Sequence, residues 1–246
     1  MIRNFFFLIC ILLLGYKVAA QTEMQPVAVV ELFTSAGCNK CPTADSVLQK
    51  IADEARLQKK NVVTIAYHVD YWNKPYKDPY SKNQFTYLQQ NYVSVLQLKE
   101  MYTPMMVVNG AQTATGNNFN TGWSLIAKQL QKPANNSLSL TPDSIINDTL
   151  YVSYLISKQT KNTSIKILLL ENNLHNQIPA GQNKGLTLHY NYVCRIYKAK
   201  SIESKKGQIA IALKGLKLNP NISLVGLLQQ RGSLQIDAAF KGTLTK

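Results

Sequence analysis

Two almost continuously apolar runs, Val27 to Phe33 and Val62 to Val69, enclose a segment whose apolar residues recur at helical spacing, and this succession admits few folds. Runs of such composition are strands buried on both faces of a sheet. Between them Ala44, Val47, Leu48, Ile51, Ala52 and Ala55 form one stripe while Asp45, Gln49, Lys50, Asp53 and Arg56 take the other face, which predicts an amphipathic helix. Strand, helix and strand in this order make a right-handed parallel unit. Pro42 has no N–H and fits only the first turn of a helix, so the helix begins between Cys38 and Cys41. The motif Cys38-Asn39-Lys40-Cys41 therefore sits at a helix N-terminus, where free amides and the positive end of the dipole favour a thiolate.

After the second apolar run, Asp70 to Lys82 reads as a loop rich in Tyr, Pro and Lys, leading into a helical insertion over Asn83 to Lys99. Thr103-Pro104 precedes a short strand, Met105 to Val108, and Asn109-Gly110 supplies a type I′ turn into Gln112 to Thr115. A last helix spans Phe119 to Leu130. Around Gln131 to Asn136 helical periodicity ends. Short strands follow at Leu150 to Ile156, Ile165 to Leu170, Tyr192 to Lys198, Gln208 to Leu213, Ile222 to Leu228 and Leu234 to Phe240. The expected organisation is an α/β thioredoxin-like domain with a helical insertion over residues 21–132, followed by a mainly β, sandwich-like C-terminal domain over 133–246.

The first residues read as an export leader: Arg3 is a basic start, Phe5 to Leu14 an unbroken apolar core, and Val18-Ala19-Ala20 a small-residue cleavage site, with cleavage expected after Ala20. The apolar stretch is shorter than the ~20 residues that span a bilayer. The expected location is periplasmic or secreted, with no stable membrane span after cleavage. Loss of the leader also removes Cys10, leaving Cys38, Cys41 and Cys194, and loss of Arg3 and Lys17 takes the net charge from +14 to +12. Lysines loosely grouped at Lys198, Lys200, Lys205 and Lys206 read as a solvated face, and no aromatic residues interleave a basic stripe as a nucleic-acid module requires.

Spacing assigns the chemistry of the pair to thiol–disulfide exchange: Cys38 on the exposed turn attacks, and Cys41, one turn in, resolves the mixed disulfide. Pro104, in this order of elements, is expected in the cis form facing the cysteines, with Thr103 shaping access to Cys38. Glu31, in the strand leading to Cys38, is either a partly buried carboxylate that accepts a proton from Cys41 or a solvent-facing strand end. His68, Asp70, Tyr71 and Trp72 cluster at the carboxyl edge of the second strand, the edge where open α/β sheets place ligands. His68 there lowers the Cys38 pKa, completes a metal site, or is a plain hydrogen-bonded rim residue. The expected partners are exported protein thiols or disulfides, with no cofactor. One alternative is a copper(I) chaperone using Cys38, Cys41 and His68; another is a non-catalytic envelope module with a structural disulfide. Zinc lacks four ligands.

The stretch Val30-Glu31-Leu32-Phe33-Thr34-Ser35-Ala36-Gly37-Cys38-Asn39-Lys40-Cys41-Pro42-Thr43-Ala44-Asp45 resembles the hallmark of a secreted thioredoxin-like bacterial family catalogued as domain of unknown function 1223. Ala66-Tyr67-His68-Val69-Asp70-Tyr71-Trp72, Lys77-Asp78-Pro79 and Tyr102-Thr103-Pro104-Met105-Met106-Val107-Val108-Asn109-Gly110 are similar to its later motifs. So are Gly181-Gln182-Asn183-Lys184-Gly185, Leu188-His189-Tyr190-Asn191 and Leu227-Leu228-Gln229-Gln230. The resemblance implies a thioredoxin-like domain followed by a β-rich one and implies no settled reaction. Thr43 stands where a second proline is expected, and Cys194 where Val or Arg is expected.

Overall fold

A computed structural model describes residues 24–158 and 161–244. The leader expected at residues 1–20, with Cys10, lies outside the described residues. The first apolar run forms β1 (Ala28–Thr34), the amphipathic segment α1 (Cys41–Leu57), and the second run β2 (Val62–His68). The two strands pair in parallel with Ala28 opposite Val62 and Thr34 opposite His68. Next come α2 (Asn83–Val95), β3 (Met105–Val108), β4 (Gln112–Thr115) and α3 (Phe119–Leu130), with β3 antiparallel to both β1 and β4. Between β3 and β4, Asn109 (φ 47°) and Gly110 (φ 67°) are both left-handed, as a type I′ turn requires. A Cβ on Gly110 would also run into the Leu234 carbonyl.

The remaining strands are β5 (Leu138–Ile146), β6 (Thr149–Ile156), β7 (Thr163–Glu171), β8 (Leu174–Gln177), β9 (Thr187–Tyr190), β10 (Val193–Ser201), β11 (Lys206–Ala212), β12 (Ile222–Gln230) and β13 (Ile236–Thr243). The spatial order β13-β12-β7-β10-β2-β1-β3-β4 makes a mixed sheet of 8 strands. Its seam is the parallel pairing of β10 with β2, where Val193 lies opposite Ala66 and the Ala66 N–H donates to the Tyr192 carbonyl at 2.8 Å. The change from helices to strands expected near residue 132 falls between α3 and β5, but the sheet runs across it.

Two smaller sheets complete the fold, β11-β6-β5 and the hairpin β8-β9. Neither β5 nor this hairpin stands out in the sequence. Pro142 interrupts the β5 pattern and is tolerated because β5 is an edge strand. The hairpin strands are only four residues each, with exposed His175 and His189 facing one another. The insertion helix stops at Val95, short of the expected Lys99, because Gln97 turns left-handed (φ 52°).

Strand alternation sorts the core onto the two faces of the large sheet. One face carries Val29, Phe33, Tyr67, Leu168, Leu170, Val225 and Leu227 in a single apolar cluster that also takes in Phe85 and Tyr92 of α2. That cluster draws on both halves of the chain. On the other face α1 and α3 cover Ala28, Val30, Leu32, Ala66 and Met106. The sheet β11-β6-β5 packs over Ile167, Leu169, Leu224 and Leu228. Each such Leu or Ile, fully buried, contributes on the order of 2 kcal/mol.

Candidate functional site

The structure joins Cys38 and Cys41 in a disulfide with Cα atoms 5.4 Å apart. The Cys41 N–H donates to the Cys38 carbonyl at 3.2 Å, and α1 begins at Cys41 with Pro42 in its first turn. Lys40, at the N-cap, provides no side-chain cap, so the first amides of α1 keep their positive end toward the sulfurs. Gly37 lets the turn approach Trp72 closely: a Cβ there would collide with the Trp72 carbonyl.

Cys38 does not stand on an exposed turn, as spacing alone predicts; it is 2% exposed and Cys41 is 0% exposed. The cover comes from the loop between β8 and β9. Asn183, itself buried, donates from Nδ2 to the carbonyls of Ala36 (2.8 Å) and Cys38 (3.0 Å), and the Asn39 N–H donates to Gln182 Oε1 at 3.2 Å. Beside this clamp a cleft of about 360 Å³ opens, lined by Gly37, Trp72, Lys74, Pro75, Gly181 and Gln182.

On the α1 side of the sheet edge lies a buried polar cluster of which the sequence announces only His68. His68, fully buried, has Nδ1 2.7 Å from Asp78 Oδ2. The same oxygen accepts the Ala36 N–H at 2.8 Å, and Asp78 Oδ1 accepts the Tyr80 N–H at 2.9 Å. The rings of Tyr190 and Tyr80 meet the imidazole edge to face, with centroids 4.8 Å and 5.6 Å away. Asp45, one turn after Cys41, turns its carboxylate into the same region. Both its oxygens are shielded from solvent, and neither they nor His68 Nε2, Thr34 Oγ1 or Tyr190 OH has a protein hydrogen-bond partner among the described residues.

The charges in this cluster settle each other. Burial opposes the imidazolium of His68, but Asp78 beside it, together with Asp45, outweighs that cost and raises its pKa. Burial works against the Asp78 carboxylate as well, yet His68 and the Ala36 and Tyr80 amides hold it below its ordinary value. Asp45 has no such amide donors. Burial, aided by Asp78 and opposed by His68 and the nearby Thr34 hydroxyl, pushes it up to about 7. The arrangement thus places a carboxyl group able to exchange a proton near neutral pH one helical turn from Cys41.

Glu31 lies elsewhere. Strand alternation turns it to the face away from α1, where Oε1 accepts from Tyr67 OH (3.2 Å) and Oε2 from Tyr92 OH (2.5 Å). Burial raises its pKa, opposed by Lys166, whose own buried ammonium has no hydrogen-bond partner among the described residues. Glu31 is therefore no solvent-facing strand end, and it lies on the face of the sheet away from α1, in the electrostatic reach of the buried Lys166. Thr103–Pro104 is a cis peptide, as is Lys74–Pro75. Thr103 Oγ1 accepts from Trp72 Nε1 at 2.8 Å, while Pro104 and Ala44 of α1 both flank Gly116. Trp72 thus links Gly37, next to Cys38, to Thr103, and Gly116 links Pro104 to Ala44 of α1.

The copper alternative asks His68 to join both thiols. His68 is instead paired with Asp78 and the sulfurs with each other, and among the described residues no group of three or more His, Cys, Asp and Glu is disposed to hold a metal. Cys194 is free and fully buried on β10, its thiol donating to the Ile196 carbonyl at 3.3 Å and its pKa pushed well up by burial.

Sequence reasoning missed Asp45, Asp78 and Asn183. By sequence Asp45 reads as part of the solvent face of α1, although Cys41, Asp45 and Leu48 share one stripe at i, i+4 and i+7. Asp78 and Asn183 stood only inside motifs of resemblance.

The family described as Protein of unknown function (DUF1223) matches residues 29–229. The chain belongs to this family. Its matched region takes in the disulfide, the His68–Asp78 pair and the Asn183 clamp together. The chain is similar to a crystal structure of an Agrobacterium tumefaciens protein, with 22% identity, a TM-score of 0.66, and cover of 91% of this chain and 97% of that one. A domain of the outer membrane lipoprotein Omp28 from Porphyromonas gingivalis is matched at 14% identity and TM-score 0.26, over 44% of this chain and 94% of that one, a likeness that carries no argument. No curated protein matches the chain. Among the described residues no helix is long and apolar enough to cross a membrane.

Proposed function

We propose that this chain is an exported, thioredoxin-like thiol–disulfide oxidoreductase that uses the Cys38/Cys41 pair on protein thiols or disulfides. The observation that carries this reading is the disulfide at the N-terminus of α1, directly after a buried parallel strand. The order β1-α1-β2, then β3 antiparallel to β1, β4 and α3, with both α1 and α3 on one face, supports a thioredoxin-like half. In the reducing direction the Cys38 thiolate attacks one sulfur of a substrate disulfide and the other sulfur leaves as a thiolate. Cys41, losing its proton, then attacks the Cys38 sulfur, reforms the internal disulfide and expels the second substrate thiolate. Asp45, one turn away and with its pKa near 7, takes up the Cys41 proton. The cis Thr103–Pro104 peptide supports a role for these two residues in receiving an extended substrate strand.

In the Cys41→Ser variant, expressed in the host, Cys38 is expected to accumulate as mixed disulfides with exported proteins, while Cys38→Ser abolishes exchange with a model disulfide. Absence of any turnover in either direction by the intact protein would sink the proposal. Export itself is tested by N-terminal sequencing of the mature chain, which should begin at Gln21. A second reading is favoured by the near-complete burial of both sulfurs: the disulfide is a staple for the turn before α1. A reduction potential below about −300 mV would decide for the staple.

A further inference from the structure

A sizeable cavity lies away from the disulfide, lined by residues of β10 of the large sheet and β11 of the three-stranded sheet. It measures about 600 Å³, within the range of small-molecule sites. Its charged lining consists of Lys82, Arg195, Lys198 and Lys214, with no carboxylate. A second hollow of about 380 Å³ shares Lys82, Arg195 and Lys214 with it and adds Lys217 and Glu171. Glu171 is already committed to an ion pair with Arg195. Lys82, Lys198, Lys214 and Lys217 form no ion pair among the described residues.

Such a convergence of cations costs free energy unless an anion offsets it. The Lys82 ammonium is held in place, donating to the Arg195 carbonyl, and is half-buried; burial, with Arg195 and Lys214 nearby, pulls its pKa down. A separate observation points the same way. Lys82 is also the N-cap of α2, with extended backbone (φ −141°, ψ 136°), no side-chain cap and no acidic residue in the first turn. Gln84 of the first turn lines the same cleft, and while the Phe85 N–H of that turn donates to the Lys82 carbonyl, the turn carries no carboxylate. Arginine and lysine side chains with helix-terminal amides are the donor set of phosphate recognition.

We propose that the cleft between β10 and β11 is a binding site for a compact, multiply charged phosphoanion, held by Lys82, Lys198, Lys214 and the N-terminus of α2. This site is independent of the redox reading, since none of these residues touches the disulfide. Of the lysines that look in sequence like a solvated face, Lys198 thereby acquires a direction: it joins Lys82 and Lys214, which are distant from it in the chain, around one cavity.

The test uses the whole mature protein and inorganic pyrophosphate in isothermal titration at low salt. Saturable binding is expected, weakened about tenfold in Lys214→Asn, which removes one charge-assisted contact. Asn suits the left-handed backbone at that position (φ 53°) and the side chain is exposed, so this variant folds. Lys198→Ala should weaken binding likewise. Lys128→Ala, the same charge lost from the last turn of α3, should leave it unchanged. Vesicles containing phosphatidic acid form a second arm: vesicle binding competed by pyrophosphate identifies a lipid headgroup as the source, and pyrophosphate binding without vesicle binding a soluble one. No heat at millimolar pyrophosphate, or an equal loss in Lys128→Ala, overturns the site.

Discussion

Asp45→Asn is the substitution through which the buried cluster can be read most directly. The carboxyl group ordinarily titrates at 3.8 and in the folded protein at about 7, so folding holds the proton across roughly three pH units. Over that window the native state binds one more proton than the unfolded chain, so stability falls as pH rises. Below pH ~4 both states are protonated and no cost is felt; above pH ~7 both are ionised and the full cost is present. At 1.36 kcal/mol per pH unit, the wild type loses about 4 kcal/mol between those limits for this group alone. An asparagine of the same shape cannot ionise and escapes the loss. Urea unfolding of both proteins from pH 4 to pH 8 should therefore give curves that diverge with pH, Asp45→Asn becoming the more stable by about 4 kcal/mol relative to its acid-limit difference. A stability difference that stays flat across that range, or that shifts toward the wild type as pH rises, would refute the reasoning. The same variant should slow the resolving step of the proposed disulfide exchange most at and above pH ~7, where the wild-type carboxyl is ionised and can take the Cys41 proton.

Two further substitutions separate the cover of the disulfide from the core beneath the sheet. Asn183→Ala removes both donors to the Ala36 and Cys38 carbonyls, at a cost of about 1–3 kcal/mol, and should speed reduction of the disulfide by dithiothreitol; an unchanged reduction rate would show that the loop does not guard Cys38. Glu31→Gln weakens the buried acceptor of the Tyr67 and Tyr92 hydroxyls and should destabilise the fold by about 1–3 kcal/mol in denaturant titration while leaving exchange kinetics intact. Slower exchange in that variant, at matched folded fraction, would return Glu31 to the redox chemistry.

What was legible in the chain is what neighbouring residues decide among themselves. The apolar runs of β1 and β2, the stripe of α1, Pro42 in its first turn and the left-handed Asn109-Gly110 turn all follow from local sterics and periodicity, and together they place the cysteine pair at a helix start. β5 escaped notice because Pro142 breaks its pattern, and Asp45 because a short acidic side chain on a helix reads as solvent-facing when its surroundings are unknown.

Other features depend on contacts between distant residues, and no local pattern encodes them. Register turned Glu31 away from α1 and Thr34 and His68 toward it, so the expected proton acceptor and the one the site offers lie on opposite faces of the same sheet. The parallel pairing of Val193 with Ala66 carried the C-terminal strands into the large sheet, and with them Tyr190 to His68 and Asn183, 145 residues from Cys38, onto its carbonyl. The sequence by itself determined where the cysteines sit on their helix, because a helix start is a property of a dozen consecutive residues. Only the tertiary structure decided what covers them and which carboxyl group stands behind them, because burial and charge pairing depend on what is nearby in space, whatever its distance along the chain.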